Sequence, residues 1–142
     1  MQIFTRNVNQ WAAKPIDTDV AAAFRKAVDQ AGLQLVVAHD SYLINPASAD
    51  KTLREKSIQG LVTELERADL LGIPWVVAHP GAAGKQDRMI AVQRAADGII
   101  EALRRTKKLS SGILIETTAG QGTCLGHTFE EIATMLERID TF

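Results

Sequence analysis

Two identical runs, Val36-Val37-Ala38-His39 and Val76-Val77-Ala78-His79, lie 40 residues apart, and a third apolar run, Gly112-Ile113-Leu114-Ile115-Glu116, ends 37 residues after His79. Each run reads as a short buried strand. Each ends on a side chain that can bind a proton or a metal. A carboxylate at the mouth of an apolar strand is costly unless something pairs with it. Two neutral imidazoles and one carboxylate are the ligand set of an open zinc site, with one position left for water. A lone histidine at a strand end is ordinarily a hydrogen-bonded loop residue. Two at the same point of consecutive units, with a carboxylate at the third, favour convergence, because neighbouring strands lie roughly 4.8 Å apart. Gly120, Gly122 and Gly126 follow Glu116 closely. They either cradle a phosphate or simply allow tight turns, and no Walker or Rossmann spacing is present.

Placing three such residues on one rim requires strand–helix units of matching length. Gln2 to Thr5 is a short strand candidate, and a polar loop from Arg6 to Pro15 follows. Asp17 or Thr18 caps a helix with Val20, Phe24, Ala27, Val28 and Ala31 on one face, which Gly32 ends. Leu33 to Ala38 is apolar except for Gln34, as expected of a parallel strand covered on both faces. After a loop from His39 to Asp50 comes a long helix with Leu53, Ile58, Leu61, Val62, Leu65 and Ala68 inward, closed by Gly72. Ile73 to Ala78 is the next strand. A third helix runs from about Gln86 to Leu103 with Ala91, Ala95, Ile99 and Leu103 on one face. Thr128-Phe-Glu-Glu131 reads as a capping box, opening a helix that carries Ile132, Met135, Leu136 and Ile139. The pattern predicts an α/β class of TIM-barrel type (β/α) units, with four parallel strands and four helices joined by right-handed crossovers. In such folds the C-terminal strand edge carries the active site. Eight units of this size would make roughly 285 residues, within the range of an eight-fold barrel, so four make half of one.

The 142 residues are 46% hydrophobic and 23% charged, as expected of a soluble globular domain with its own core. A formal net charge of −1 gives no warrant from overall charge for nucleic-acid or membrane binding. The single cysteine, Cys124, excludes an internal disulfide and fits a reducing cytoplasm. No apolar run reaches transmembrane length, and Arg6 interrupts the start where a signal peptide would need an apolar region. The expectation is a cytoplasmic protein folded as one partial domain over residues 1–142. Tyr42 and Leu43 sit together on a polar loop, either packing on a neighbouring loop or inserting into a partner. His127 reads as surface, Cys124 as inert, and the cluster Arg104, Arg105, Lys107 and Lys108 as a solvated helix end favoured by the helix dipole.

The stretches His39-Asp-Ser-Tyr-Leu-Ile-Asn45, Ala78-His79-Pro80-Gly81 and Ile115-Glu116-Thr-Thr-Ala-Gly-Gln-Gly-Thr-Cys-Leu-Gly126 closely resemble the endonuclease IV family of DNA-repair enzymes. Ile3-Phe4-Thr5-Arg6-Asn7 with Trp11 is similar to that family's second strand and following loop. The resemblance covers essentially the whole chain. It implies an eight-stranded α/β barrel with three zinc ions at its C-terminal face, which cleaves double-stranded DNA 5′ to an abasic site and leaves a 3′-hydroxyl. By resemblance His39 and His79 bind one zinc, and Glu116 bridges to a second and is catalytic. Tyr42 and Leu43 lie on the loop pressed into DNA at the lesion, where the abasic nucleotide is flipped out. Asn7 and Asn9 lie on a second DNA-penetrating loop.

The resemblance begins at the family's second strand and runs to the helix after its fifth. The family's remaining zinc ligands belong to segments outside this sequence, so the expectation is the middle of an endonuclease IV. Three functions are weighed: an abasic-site endonuclease whose activity belongs to the complete barrel, a metal-dependent sugar isomerase or epimerase, and a non-catalytic half-barrel fragment. Four parallel strands leave two bare edges, which template further pairing. Two copies related by a two-fold would close a ring of eight, so a homodimer completing the barrel, or poor solubility, is expected in place of a well-behaved monomer.

Overall fold

The computed structural model describes residues 1–141; Phe142, the last residue of the expected domain, lies outside them. Its elements are β1 (Gln2–Phe4), α1 (Thr18–Gln30), β2 (Val37–His39), α2 (Lys51–Leu71), β3 (Trp75–Ala78), α3 (Arg88–Arg105), β4 (Gly112–Ile115) and α4 (Phe129–Asp140). The strands form one parallel sheet in the order β1-β2-β3-β4. This is half of a TIM-barrel arrangement, four strands with the helices on one side. No helix among the described residues is long and apolar enough to cross a membrane.

The helices start where short polar side chains can receive orphan amides. Asp17 caps α1 by accepting from the Asp19 amide, Asp50 caps α2 through Thr52 and Leu53, and Asp87 caps α3 through Ile90. The third helix therefore begins two residues later than its apolar pattern suggests. Thr128 caps α4 through the Glu131 amide, but the capping box is only half formed. Glu131 turns instead to Arg88 and the Gly126 amide.

Residues alternate between the two faces of the sheet. The row Ile3, Ala38, Val76 and Ile113 is in register and packs under α2 with Leu65 and Ala68. The opposite row, Phe4, His39, Val77 and Leu114, lies on the face that no helix covers. Consequently Phe4, Trp75 and Leu114 are each about two-fifths exposed, at 42%, 41% and 42%. A second packing centre joins α3 to α4 through Ala91, Val92, Ala95, Ala96 and Met135, with Leu125 from the preceding loop. Small residues on α3 let the β2–α2 loop approach closely, and a Cβ on Gly98 would lie 2.8 Å from Pro46 Cβ.

Two expectations need correction. The ladder of the second strand holds only Val37–His39, and Leu33 and Leu35 are exposed rather than covered on both faces. On α1 the inward face is Ala21, Phe24 and Val28, while Val20, Ala27 and Ala31 are exposed; on α4 Leu136 is exposed too. Both follow from the open side. A helix over an edge strand has half a sheet to cover, so its apolar stripe is narrower than the periodicity suggests.

Candidate metal centre

Parallel pairing sets every strand's C-terminal end on one edge, and His39, His79 and Glu116 arrive there together. His39 is the last residue of β2, and the other two directly follow β3 and β4. The ladder runs on past the strands, with the Asp40 amide donating to the Val77 carbonyl and the Glu116 amide to the Ala78 carbonyl. The register staggers the three. His39 is opposite Val77, whereas Ala78 is opposite Ile115, so His79 and Glu116 share a level one layer above His39. By alternation all three side chains point to the uncovered face. Their ligand atoms lie within 4.8 Å of one another. Glu116 Oε2 is 2.9 Å from His39 Nε2 and 3.5 Å from His79 Nε2, and the two imidazoles are 5.1 Å apart between centroids.

The donor inventory fits a cation. His39 Nδ1 lies 2.9 Å from the Asp40 carbonyl oxygen, and Nε2 lies 2.9 Å from the Glu116 carboxylate. Both ring nitrogens therefore face acceptors. Either neutral tautomer sets a lone pair against an oxygen, and only a second proton or a cation between Nε2 and Oε2 relieves it. Burial holds the His79 imidazole below its usual range, with Glu116 opposing and His39 adding to the depression, which keeps it in the neutral, ligating form.

Behind the cluster lies buried polarity that periodicity did not point to. Asp40 is 1% exposed, and its carboxylate is left without a hydrogen bond of good geometry. Burial first, then the charges of Glu64 and Glu116, push its carboxyl up to about 8, against the His79 backbone amide and Arg6. Glu64, on α2 and also 1% exposed, accepts from Thr5 Oγ1 at 2.8 Å and from Arg6 Nε at 2.6 Å. Arg6 donates onward to the Gln10 and Trp11 carbonyls, and Arg67 to Thr5 and the Lys14 carbonyl. The loop after β1 is thus stapled to α2. The available signal was a carboxylate inside the apolar stripe Leu61, Leu65 and Ala68.

The remaining predicted residues sit around this rim. Asn7 and Asn9 are exposed, with Asn7 Oδ1 accepting from the Asn9 amide at 2.9 Å. Ser41 Oγ donates to the Val8 carbonyl at 2.6 Å, tying that loop to the one carrying Tyr42 and Leu43. Tyr42 is 61% exposed and packs edge-on against Phe4 and His39, while Leu43 is half-buried. A cavity of about 460 Å³ opens beside the cluster, lined by Tyr42, Asn45, His79, Thr117, Gln121 and Cys124 among others. Gly120, Gly122 and Gly126 have positive φ, and a Cβ on Gly126 would press on Pro80 Cγ at 2.8 Å, so tight turning accounts for them. His127 is at the surface but accepts from Arg88 Nη2 through Nδ1 at 2.7 Å. Arg105 is no free helix end, since it pairs with Glu55 and Glu101.

A parallel half-ring with a His–His–carboxylate cluster at its C-terminal rim defines the class. The chain belongs to the xylose isomerase-like TIM barrel family, which it matches over residues 1–141. Within that class its likeness is to endonuclease IV. It is 48% identical over 139 residues to the probable endonuclease 4 of Chloroflexus aurantiacus, covering 98% of this chain and 49% of that protein. It is 40% identical over 137 residues to the probable endonuclease 4 of Geotalea daltonii, covering 96% and 48%. The crystal structure of endonuclease IV from Thermus thermophilus superposes with a TM-score of 0.82 at 35% identity, covering 95% of this chain and 48% of that one. The chain spans about half the length of the curated relatives it matches. A D-psicose 3-epimerase superposes with a TM-score of 0.76 at 16% identity, over 97% of this chain and 48% of that one, a likeness of fold alone.

Proposed function

We propose that this chain is part of a zinc-dependent DNA-repair endonuclease of the endonuclease IV kind, acting in the cytoplasm on double-stranded DNA that contains an abasic site and hydrolysing the phosphodiester 5′ to it. The observation that carries this reading is the convergence of His39, His79 and Glu116 within 4.8 Å on the rim that also bears the exposed Asn7, Asn9 and Tyr42. His39 and His79 supply neutral nitrogens and Glu116 the anionic ligand. Zinc, when bound, supplies Lewis acidity toward the phosphodiester and toward water. Glu116 is the catalytic carboxylate, its side chain 40% exposed where His39 is 4% exposed. Tyr42 and Leu43, with Asn7 and Asn9 across the Ser41–Val8 contact, form the DNA-facing surface.

The four-stranded sheet with its three-residue cluster is read as one partial barrel domain, for which slow nicking at most is expected. A sugar isomerase or epimerase draws on fold alone, at 16% identity to the D-psicose 3-epimerase and 17% to an L-ribulose 3-epimerase structure. A non-catalytic half-barrel draws on the two unpaired sheet edges. Made as these 142 residues, two copies pair edge to edge, β4 of each beside β1 of the other.

The test uses the purified chain with duplexes that differ only in one abasic site. The expected result is one zinc per chain by elemental analysis, lost in the His39→Ala, His79→Ala double variant. Zinc-dependent preference for the abasic duplex, with slow nicking at most that Glu116→Gln abolishes, is expected alongside. Equal binding of both duplexes with unchanged zinc content in the double variant would sink the reading.

A further inference from the structure

We propose that Asn45 is a positioning residue for the metal cluster, its side-chain amide standing in for a strand that would otherwise fix the His79 loop against the His39 loop. The inference rests on reading His39, His79 and Glu116 as metal-binding. Above the strand ends the loops are laced sideways. The Ala83 amide donates to the Thr123 carbonyl at 2.8 Å and the Leu125 amide to the Gly81 carbonyl at 2.9 Å, with Ala82 and Cys124 paired antiparallel between them. Gly81–Ala83 thus has a backbone partner on the Glu116 side. In such a pair the amide and carbonyl of the intervening residue point the other way, and those of Ala82 point toward β2.

Asn45 meets both. Its Oδ1 accepts from the Ala82 amide at 3.1 Å, and its Nδ2 donates to the Ala82 carbonyl at 3.3 Å. A carboxamide presents one acceptor and one donor side by side, so it can serve both the amide and the carbonyl of a single residue. Only one orientation of the amide works, because the flipped one sets donor against donor. Asn45 is itself fixed, its backbone amide donating to Ser57 Oγ at 2.9 Å and Ser57 Oγ donating to the Leu53 carbonyl at 2.7 Å. Space is equally specific. Gly81 has φ +94°, and a Cβ there would collide with Asn45 Oδ1. Between Ala82 and His79 lie only Gly81 and the buried Pro80. The ladder brings His79 level with its neighbours, and Asn45 fixes the loop that leaves it against the loop that leaves His39.

The experiment is a cobalt(II) titration of the whole chain, read by visible absorption, whose band position and intensity report coordination geometry. Two variants attack the contact from opposite sides. Asn45→Leu keeps the size and loses both hydrogen bonds, and Gly81→Ala keeps the amide but drives it off Ala82. Each is expected to weaken cobalt binding about tenfold to a hundredfold and to alter the spectrum. Ser111→Ala is the control. It removes a buried hydrogen bond to the Ile73 carbonyl at the opposite sheet edge, and is expected to lower the melting temperature with affinity and spectrum unchanged. Wild-type affinity and spectrum in both loop variants overturn the inference, as does an equal loss in Ser111→Ala. Unfolding of both loop variants overturns it too, marking the contact as a fold determinant. A wild-type chain that binds no cobalt overturns the metal reading itself, and the inference with it.

Discussion

Asp40 is held protonated inside the molecule beside the candidate ligands, and the cost of that state has a sign. Its folded pKa of about 8 stands above the ordinary value of 3.8. The folded state keeps a proton that the unfolded state releases between those two values. Stability from this group is therefore full below about pH 4 and falls as pH rises toward 8. Asp40→Asn removes the titration while keeping the shape. In metal-free protein it is expected to raise unfolding free energy at pH 7.5 by about 2–4 kcal/mol and to flatten the slope between pH 4 and 8. Urea melts across that range check it, and a variant no more stable than the parent at pH 7.5 refutes the account.

Among the elements, the loop from Glu116 to α4 depends on one cation. Arg88 on α3 donates to Glu131 and the Cys124 carbonyl, and Glu131 also accepts from the Gly126 amide at 2.7 Å. Burial acts to raise the Glu131 carboxyl, but Arg88 and the Gly126 amide outweigh it and hold the group below its usual range. The stability this gives is present above the unfolded value near 4.5 and is lost as pH falls through the folded one. Arg88→Ala leaves a buried carboxylate with one amide partner and is expected to cost about 1–3 kcal/mol at pH 7. The deficit narrows below about pH 4 as Glu131 protonates. Melting temperatures of both proteins from pH 3 to 8 decide it; a deficit that does not change with pH tells against the pairing.

The same scale shows what was legible in the sequence. His39, His79 and Glu116 stand out because each is the polar residue that ends an apolar run, and parallel topology carries every such residue to one rim. Asn45 and the Arg6–Glu64 pair do not stand out, because their partners lie 37 and 58 residues away. No local period encodes such contacts. Leu33 and Leu35 misled for a related reason. An apolar run states that coverage is wanted, but whether anything supplies it is a tertiary matter, and here the second side is open.

At the scale of the molecule, that open side is where a second copy is expected to pair. Leu35, Trp75 and Leu114 are 52%, 41% and 42% exposed on or beside the uncovered face, which also carries Val37 and Val77. Full burial of such side chains is worth about 1.5–3 kcal/mol each, a large share of a domain's net stability of roughly 5–15 kcal/mol. The 142-residue chain is expected to run at twice its 15.4 kDa mass in light scattering. Leu114→Lys, which sets a charge on the face to be covered, is expected to release monomer or precipitate. A monodisperse 15.4 kDa species at high concentration excludes the pairing.

The stagger at the rim has a kinetic consequence. His39 lies a layer beneath His79 and Glu116, 4% exposed under side chains that are 35% and 40% exposed. An ion arriving from solvent would meet the carboxylate and the upper imidazole before the lower one. Were a metal held there, its first contacts would be solvent-facing and its last under cover. Removal of such an ion by a chelator would then be slower than from a site whose three ligands were equally exposed.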